Sequence, residues 1–271
     1  FLSMTATPIP RTLAMALFGD MKISILDELP PGRGEIDTVL LRPSQDREAY
    51  GIIAEKLRSG SQAFVVCPFI EASEESEADS VKELELKLKK NYLSTFRIQG
   101  LHGKMKSKEK EEVMEKFRKG EIDVLVATTV IEVGVNVPNA TTIFIEGAER
   151  FGLAQLHQLR GRVRRSTERA TCFLHPSSLN GNTKQRLDAM VEHDSGFKLA
   201  EIDLQLRGSG DRFGTRQSGL PEFQFAELSD HVLISQARDV AEEILGGDPE
   251  LEGYELILLE LERFLSRNAP E

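Results

Sequence analysis

The sequence contains no tryptophan and only two cysteines among its 271 residues. Both cysteines, Cys67 and Cys172, lie in apolar runs without an accompanying histidine or carboxylate pattern. These positions argue against a disulfide scaffold, a zinc site or a cysteine nucleophile. We expect two reduced thiols in the core of a cytoplasmic protein.

Long hydrophobic runs are missing as well. No apolar stretch approaches the roughly 18 residues of a transmembrane helix, and no basic and then apolar leader is visible. The composition, 40% hydrophobic and 29% charged, is typical of a soluble globular protein. The net charge of −10 argues against a protein whose entire surface coats nucleic acid, although screening over about 10 Å still permits a local basic track.

One basic cluster stands out against this acidic background. Residues 157–169, HQLRGRVRRSTER, hold five arginines in thirteen positions. A solvated basic face would be formed equally well by lysines at any spacing, whereas these arginines follow a glutamine and a glycine in a tight pattern. The cluster therefore predicts a specific site, whose nature depends on the segments around it.

Short apolar segments alternate with helical patterns between residues 37 and 178. Six runs predict strands: IDTVLL, QAFVVCPFI, FRIQGLHG, IDVLVATT, ATTIFIEG and RATCFLHP. This alternation predicts an α/β fold, with a mostly parallel sheet and helices on both faces.

Four helices are predicted within this α/β domain, and the last of them starts at QLHQLRGRVRR, residues 155–165. The first covers residues 44–60, with Ser44 as N-cap and Gly60 as C-cap. The second covers residues 80–93, and the acidic residues 71–79 before it are interpreted as a solvated linker or a frayed helix start. The third covers residues 106–120, with Val113, Met114 and Phe117 facing inward.

Four regions are predicted along the chain. Residues 1–36 are interpreted as the end of a preceding domain followed by a proline- and glycine-rich linker. Residues 37–178 form the α/β domain, and residues 179–225 form two helices and a loop. That glycine-rich loop is predicted over Arg207–Gly219. Residues 226–271 form the closing amphipathic helices.

Polar and glycine residues follow several predicted strands. In an open parallel sheet, ligands bind beyond the carboxyl ends of the strands, where hydroxyl and backbone N–H groups suit phosphate oxygens. The candidates after two of these strands are His102, Gly103, Thr128, Thr129, Gly134 and Asn136. Each is weak evidence alone, because a threonine pair after a strand is more often ordinary turn chemistry.

The order of these segments resembles the second half of a superfamily-two helicase motor. The third to sixth motifs correspond to TAT (Thr5, Ala6 and Thr7), VCPFIE, ATTVIEVGVNVP and QLHQLRGRVRR. The stretches MTATPIPRTLA, DELPPGR, ERFGLAQLHQLRGRV and LAEIDLQLRGSGDRFGTRQSGLPEF resemble the RecG family of bacterial DNA helicases, from residue 1 to about 225. The resemblance implies a RecA-like domain in an ATP-dependent translocase that remodels stalled replication forks and Holliday junctions.

The resemblance also implies roles in ATP hydrolysis for residues of the arginine cluster. Arg162 and Arg165 would be arginine fingers, Gln158 would link the nucleotide to the domain interface, and Gly161 would permit close approach. Gly134 and Asn136 would lie near the nucleotide. ATP and Mg²⁺ would be held mainly by the first motor domain. Arg160 and Arg169 are left as a solvated basic face.

Further residues would contact DNA or transmit motion to it. In RecG and in the related transcription-repair coupling factor Mfd, the segment after the sixth motif couples ATP hydrolysis to translocation on duplex DNA. The resemblance extends this role to the hairpin and loop residues Arg186, Arg207, Arg216 and Gln217. It implies DNA or coupling contacts for Thr128, Thr129, His102 and Gly103, and motif coupling for Thr5, Ala6 and Thr7. The expected partners are branched and double-stranded DNA, together with single-strand-binding protein. The protein is expected to be a monomer.

Some features limit these expectations. No G-x-x-x-x-G-K-[ST] loop occurs, so we expect the 271 residues alone to lack ATPase activity. Arg164 replaces the usual glycine of the sixth motif, and Asn136 replaces the usual aspartate of the fifth. These two departures support an alternative, a nucleotide-free interaction module. An Mfd-type translocase is the alternative within the enzyme class, although DELPPGR and FGTRQSGLP favour RecG.

Overall fold

Six parallel strands form the centre of the first of two compact units. The computed structural model describes residues 34–68, 77–129, 137–163, 169–210 and 231–267, together with Leu2, Met4, Ser24 and Leu26. Described residues up to 210, apart from Ser24, belong to the first unit. Ser24 and residues 231–267 belong to the second.

The first unit contains six strands and six α-helices within the described residues. The strands are β1 (Ile36–Leu40), β2 (Gln62–Val66), β3 (Ile98–Leu101), β4 (Val124–Ala127), β5 (Ala140–Glu146) and β6 (Ala170–His175). The helices are α1 (Asp46–Arg58), α2 (Glu77–Asn91), α3 (Ser107–Arg118), α4 (Leu153–Arg160), α5 (Gly181–Glu192) and α6 (Gly196–Gly210). A short 3₁₀ turn, Ala148–Arg150, precedes α4.

The strand order across the sheet is β1-β6-β5-β2-β4-β3. All neighbouring pairs are parallel, as the alternation of strands and helices predicts. The central strands β2, β4 and β6 are buried along their whole length, which is typical of a sheet covered on both faces. The predicted RecA-like α/β fold is confirmed.

Side chains of β2 alternate between two hydrophobic cores. Ala63, Val65 and Cys67 lie in the core that α1 and α2 cover, whereas Phe64 and Val66 lie in the core covered by α3, α4 and α5. This alternation follows from the two-residue period of a strand. Because the carboxyl ends of all six strands lie along one edge of the sheet, the loops that follow them share that edge.

Both cysteines are free and buried, as predicted. Burial raises the pKa of Cys67 and of Cys172 to about 12. Both thiols are therefore protonated at neutral pH and act as small apolar core side chains.

Two helix starts and one helix end differ from the predicted positions. Helix α1 has Gln45 rather than Ser44 at its N-cap, and the Gln45 side chain accepts a hydrogen bond from the Arg42 amide at 2.9 Å. Ser59 is the C-cap, and Gly60 follows it with φ +94°, a left-handed conformation that favours glycine.

Helix α2 begins at Glu77, three residues before the predicted start. The last residues of the acidic stretch therefore belong to the helix rather than to a linker. Carboxylates in the first turn are stabilised by the exposed N–H groups and dipole of a helix N-terminus.

The hairpin of α5 and α6 follows β6. The Asn180 side chain caps α5 by accepting a hydrogen bond from the Thr183 amide at 2.8 Å. Helix α6 extends to Gly210, so Arg207 lies in a helix and not at the start of the predicted loop. Residues 211–219 of that loop, which include Arg216 and Gln217, lie outside the described residues.

The second unit contains helices α7 (His231–Gly247) and α8 (Glu255–Arg267) within its described residues. Their positions agree with the predicted amphipathic helices at the end of the chain. The Gly253 amide donates a hydrogen bond to Asp248 at 2.7 Å between them. Across the described ranges, no helix combines the length and apolarity needed to cross a bilayer.

Gln62 provides a test of the buried polar contacts at the start of β2. Its amide nitrogen donates to the carbonyl oxygens of Phe117 at 2.6 Å and Ile122 at 2.7 Å, and the residue is 3% exposed. Gln62→Leu leaves both carbonyls without this donor, so the free energy of unfolding should fall by about 2 kcal/mol. Chemical denaturation measures the free energy of unfolding, with Gln205→Leu on the exposed side of α6 as control. Equal stabilities of the two variants would contradict the role of these bonds.

Candidate functional site

The carboxyl ends of β3 and β4 bring four predicted site residues together. The two strands pair with Leu101 opposite Ala127, so His102 and Gly103 emerge beside Thr128. Thr128 is fully buried, whereas His102, Gly103 and Thr129 are partly exposed. The strand-end cluster, defined as His102, Gly103, Thr128 and Thr129, is thus assembled as parallel-sheet geometry predicts.

The carboxylate of Glu77, near the end of the acidic residues 71–79, completes this cluster. The Thr128 hydroxyl donates a hydrogen bond to Glu77 Oε1. The Gly103 amide donates to the same oxygen at 2.8 Å. A Cβ atom on Gly103 would lie 2.6 Å from Glu77 Oε2, so the absence of a side chain there permits the contact. The available sequence signal was a carboxylate at the start of a helix that follows a buried strand.

Lysines surround the loop that carries Gly103. Lys110 donates from Nζ to the Gly103 carbonyl at 2.6 Å. Lys104, Lys106 and Lys108 are exposed in the same loop and the first turn of α3. They provide positive charge next to the strand-end cluster, in a chain whose net charge is −10. The composition alone did not reveal this patch.

The sixth-motif segment comprises α4 and the turn after it. Gln158 is on α4, and Gly161 and Arg162 lie in the turn, where the Arg162 amide donates to the Leu159 carbonyl at 3.0 Å. All three residues are partly exposed. A Cβ on Gly161 would lie 3.3 Å from the Gln158 carbonyl oxygen, which is a tight contact. The turn thus places Arg162 directly after the helix.

Arg160, which was expected to lie on a solvated face, is instead buried. It is 3% exposed, and its guanidinium donates to the carbonyl oxygens of Met190 at 2.7 Å, His193 at 3.0 Å and Asp194 at 3.2 Å. It also donates to Thr38 Oγ1 at 3.3 Å. The planar fork of donors suits several carbonyls at once, which a lysine cannot match. Arg160 therefore joins α4 to the hairpin of α5 and α6, and the solvated-face interpretation is wrong for this residue.

Arg169 agrees with the solvated-face interpretation. Its side chain is 68% exposed and forms an ion pair with Asp37 at 2.7 Å. An ion pair at such an exposed position is screened by water and contributes little to stability.

Arg186 provides a second connection between the hairpin and the segment before α4. Its guanidinium donates to the carbonyl oxygen of Glu149 in the 3₁₀ turn. The Glu149 side chain in turn accepts a hydrogen bond from the Ser177 amide at 3.0 Å. Arg186 thus holds α5 against the segment that leads into the sixth motif.

His157 is the ionisable residue next to Gln158 on α4. Burial, together with the positive charge of Arg160, lowers the pKa of His157 to about 4. Its ring is therefore neutral near pH 7 and adds no positive charge to the sixth-motif segment.

The remaining predicted site residues lie outside the described residues. They are Thr5, Ala6, Thr7, Gly134, Asn136, Arg165, Arg216 and Gln217, together with the unusual Arg164. Arg207 is described only as part of the helical backbone of α6. In the part of the chain that the structure describes, no group of three or more histidine, cysteine, aspartate or glutamate side chains could hold a metal ion.

Comparison with known families agrees with this geometry. Residues 47–167 match the helicase conserved C-terminal domain, and residues 193–265 match the C-terminal part of domain 3 of the ATP-dependent DNA helicase RecG. Residues 47–167 of the first unit therefore have the RecA-like fold of a helicase C-terminal domain. The second match continues through α6 and includes α7 and most of α8.

Individual relatives give the same assignment. ATP-dependent DNA helicase RecG of Synechocystis sp. is 46% identical over 93% of this chain, and that of Streptococcus pneumoniae is 45% identical over 97%. A solved structure of RecG bound to a three-way DNA junction matches with TM-score 0.67 and 40% identity, covering 86% of this chain and 30% of that one. The chain is thus similar to RecG helicases along nearly its whole length. It spans 31% and 40% of the length of these two relatives.

The comparisons lend no support to the Mfd alternative. The family model for residues 193–265 is specific to RecG, and the two relatives described above are RecG helicases.

The burial of Arg160 gives a stability test within the arginine cluster. Arg160→Ala removes the donors of three backbone carbonyls, so the free energy of unfolding should fall by about 3 kcal/mol or more. Arg160→Lys should recover only a small part of this loss, because one ammonium cannot replace the fork. Denaturant titration measures both effects, and Arg169→Ala, nine residues along the chain, should change little. A stable Arg160→Ala variant would show that the hairpin is held by other contacts.

Proposed function

We propose that this chain acts in an ATP-dependent translocase on double-stranded DNA that remodels stalled replication forks and Holliday junctions in recombination and repair. The observation that carries the proposal is the hydrogen bonding of Arg160. It joins the helix that precedes Arg162 to the hairpin of α5 and α6. The RecG relatives and the RecG structure with a DNA junction support the same function.

ATP hydrolysis in this proposal requires a first motor domain that binds ATP and Mg²⁺. Arg162 and Arg165 would approach the nucleotide from the opposite side. The guanidinium fork of an arginine stabilises negative charge that develops on the transferred phosphoryl group. Gln158, Gly161, Gly134 and Asn136 would form the neighbouring surface. Arg162 lies in the turn that follows α4, where it would meet a nucleotide bound by the other domain.

Coupling follows from the connections of α4. Arg160 is two residues before Arg162. Its guanidinium donates to the carbonyl of Met190 in α5 and to the carbonyls of His193 and Asp194, which begin the link between α5 and α6. A shift of α4 during hydrolysis would therefore be transmitted to the hairpin. Arg186 adds a second connection at the 3₁₀ turn. Arg207 near the end of α6, with Arg216 and Gln217 farther along the chain, would carry this motion to duplex DNA.

DNA would be contacted at the strand-end cluster. Hydroxyl and backbone N–H groups of Thr128, Thr129 and Gly103, with His102 beside them, suit phosphate oxygens. The exposed lysines of the same loop would attract the strand. We further propose that the protein is a monomer in the cytoplasm, where its DNA substrates occur, and that single-strand-binding protein is a possible partner.

Finger function is tested by Arg162→Ala and Arg165→Ala in the full-length protein. Loss of a finger removes transition-state stabilisation, so kcat should fall roughly 10³- to 10⁵-fold with nearly unchanged ATP affinity. DNA-stimulated phosphate release measures kcat, with Arg169→Ala as the matched control. Normal turnover by both finger variants would contradict the assignment of these two arginines as fingers.

Coupling is tested by Arg207→Ala and Gln217→Ala. If these residues transmit motion, both variants should bind DNA and hydrolyse ATP but fail to unwind a model fork. Parallel assays measure the amount of fork unwound per ATP hydrolysed. Arg118→Ala, on the exposed side of α3, is the control. Proportional losses of unwinding and hydrolysis would assign these residues to the nucleotide site or to the fold.

A further inference from the structure

The hydrogen bonds of Glu77 occupy donors that a DNA phosphate would need. A threonine hydroxyl and a backbone amide each have a single proton to donate. In this structure the Thr128 hydroxyl and the Gly103 amide both donate to Glu77 Oε1. Neither group can make the same bond to a phosphate oxygen while this arrangement persists.

The carboxylate resembles a phosphate in the properties that these donors recognise. Both groups are anionic and present oxygen acceptors, and both form short charge-assisted hydrogen bonds with N–H and O–H donors. Thr128 is fully buried, so a strand could not reach its hydroxyl without a rearrangement. Gly103 has no side chain that would keep either anion away from its amide.

The position of Glu77 allows the carboxylate to leave. It is the first residue of α2, where helix ends fray most easily, and it is partly exposed. Lys104, Lys106 and Lys108 are exposed in the loop that follows Gly103 and in the first turn of α3, so positive charge would remain there to receive the strand after the carboxylate has moved.

We propose that Glu77 is an acidic gate on the strand-end cluster. It occupies the place of a DNA backbone phosphate when no strand is bound, and the strand displaces it from Thr128 and Gly103. The gate rests on the proposed function, since it assumes that these two residues contact DNA. It sets the affinity of the motor for DNA by making each binding event an exchange of one anion for another.

Removal of the carboxylate should therefore strengthen DNA binding. In the full-length protein without nucleotide, Glu77→Ala should lower the Kd for a duplex with a fork about tenfold, which corresponds to about 1.4 kcal/mol. Glu77→Gln should give a smaller gain, because the neutral amide oxygen still accepts both bonds, but more weakly. Fluorescence anisotropy at constant salt measures the Kd, and thermal unfolding verifies that each variant is folded.

Glu109→Gln is the matched control. It removes one negative charge from the first turn of α3, beside the same loop, without touching Thr128 or Gly103. If Glu109→Gln raised the DNA affinity as much as Glu77→Ala, the loss of any negative charge near this loop would explain the effect, and the gate would be rejected. Unchanged or weaker binding by folded Glu77 variants would also reject it.

Thr128→Val separates the gate from the function on which it rests. If both hold, this substitution weakens DNA binding and removes most of the gain of Glu77→Ala in the double variant. If Thr128→Val weakens binding while the Glu77 variants bind no more tightly, the DNA contact stands and the gate fails. If Thr128→Val has no effect in either background, the strand-end contact fails, and with it the gate.

Discussion

Burial of both faces of a parallel sheet is the constraint on which the rest of this structure depends. Each strand must return to the same end through a helix, and each helix must cover an apolar face. The strands consequently end along one edge, where loops of unrelated sequence become neighbours. His102 and Thr128 are brought together in this way across 26 residues of chain, because β3 and β4 pair side by side.

A buried arginine makes the second long-range connection. The guanidinium of Arg160 satisfies carbonyls at the end of α5 and in the link to α6, where the backbone no longer has helical partners. Such carbonyls must find donors when they are removed from water. An arginine at this position thus joins α4 to the hairpin and satisfies these carbonyls with the same bonds. The exposed Arg169 shows that the members of the arginine cluster differ in their surroundings.

Much of the fold could be predicted from the sequence, because the strands are short apolar runs with helical patterns between them. The acidic stretch before α2 was left open between a linker and a frayed helix start, because Glu77 and Asp79 are charged and lack an apolar period. The stabilisation of carboxylates at a helix N-terminus is a local electrostatic effect that this period does not show. The burial of Arg160 depends on residues at least 30 positions away, which no local pattern encodes. Arg207 was assigned to a loop because three glycines follow it closely, yet the helix extends through the first two of them.

The two protonated, buried thiols leave the described surface of the protein without a reactive sulfur. Alkylating reagents attack the thiolate, so both native cysteines should react slowly while the fold persists. A single cysteine introduced on the exposed side of α5 would then accept a fluorophore selectively, with no need to remove the native pair. The chemistry of the core thus makes the hairpin accessible to site-specific labelling.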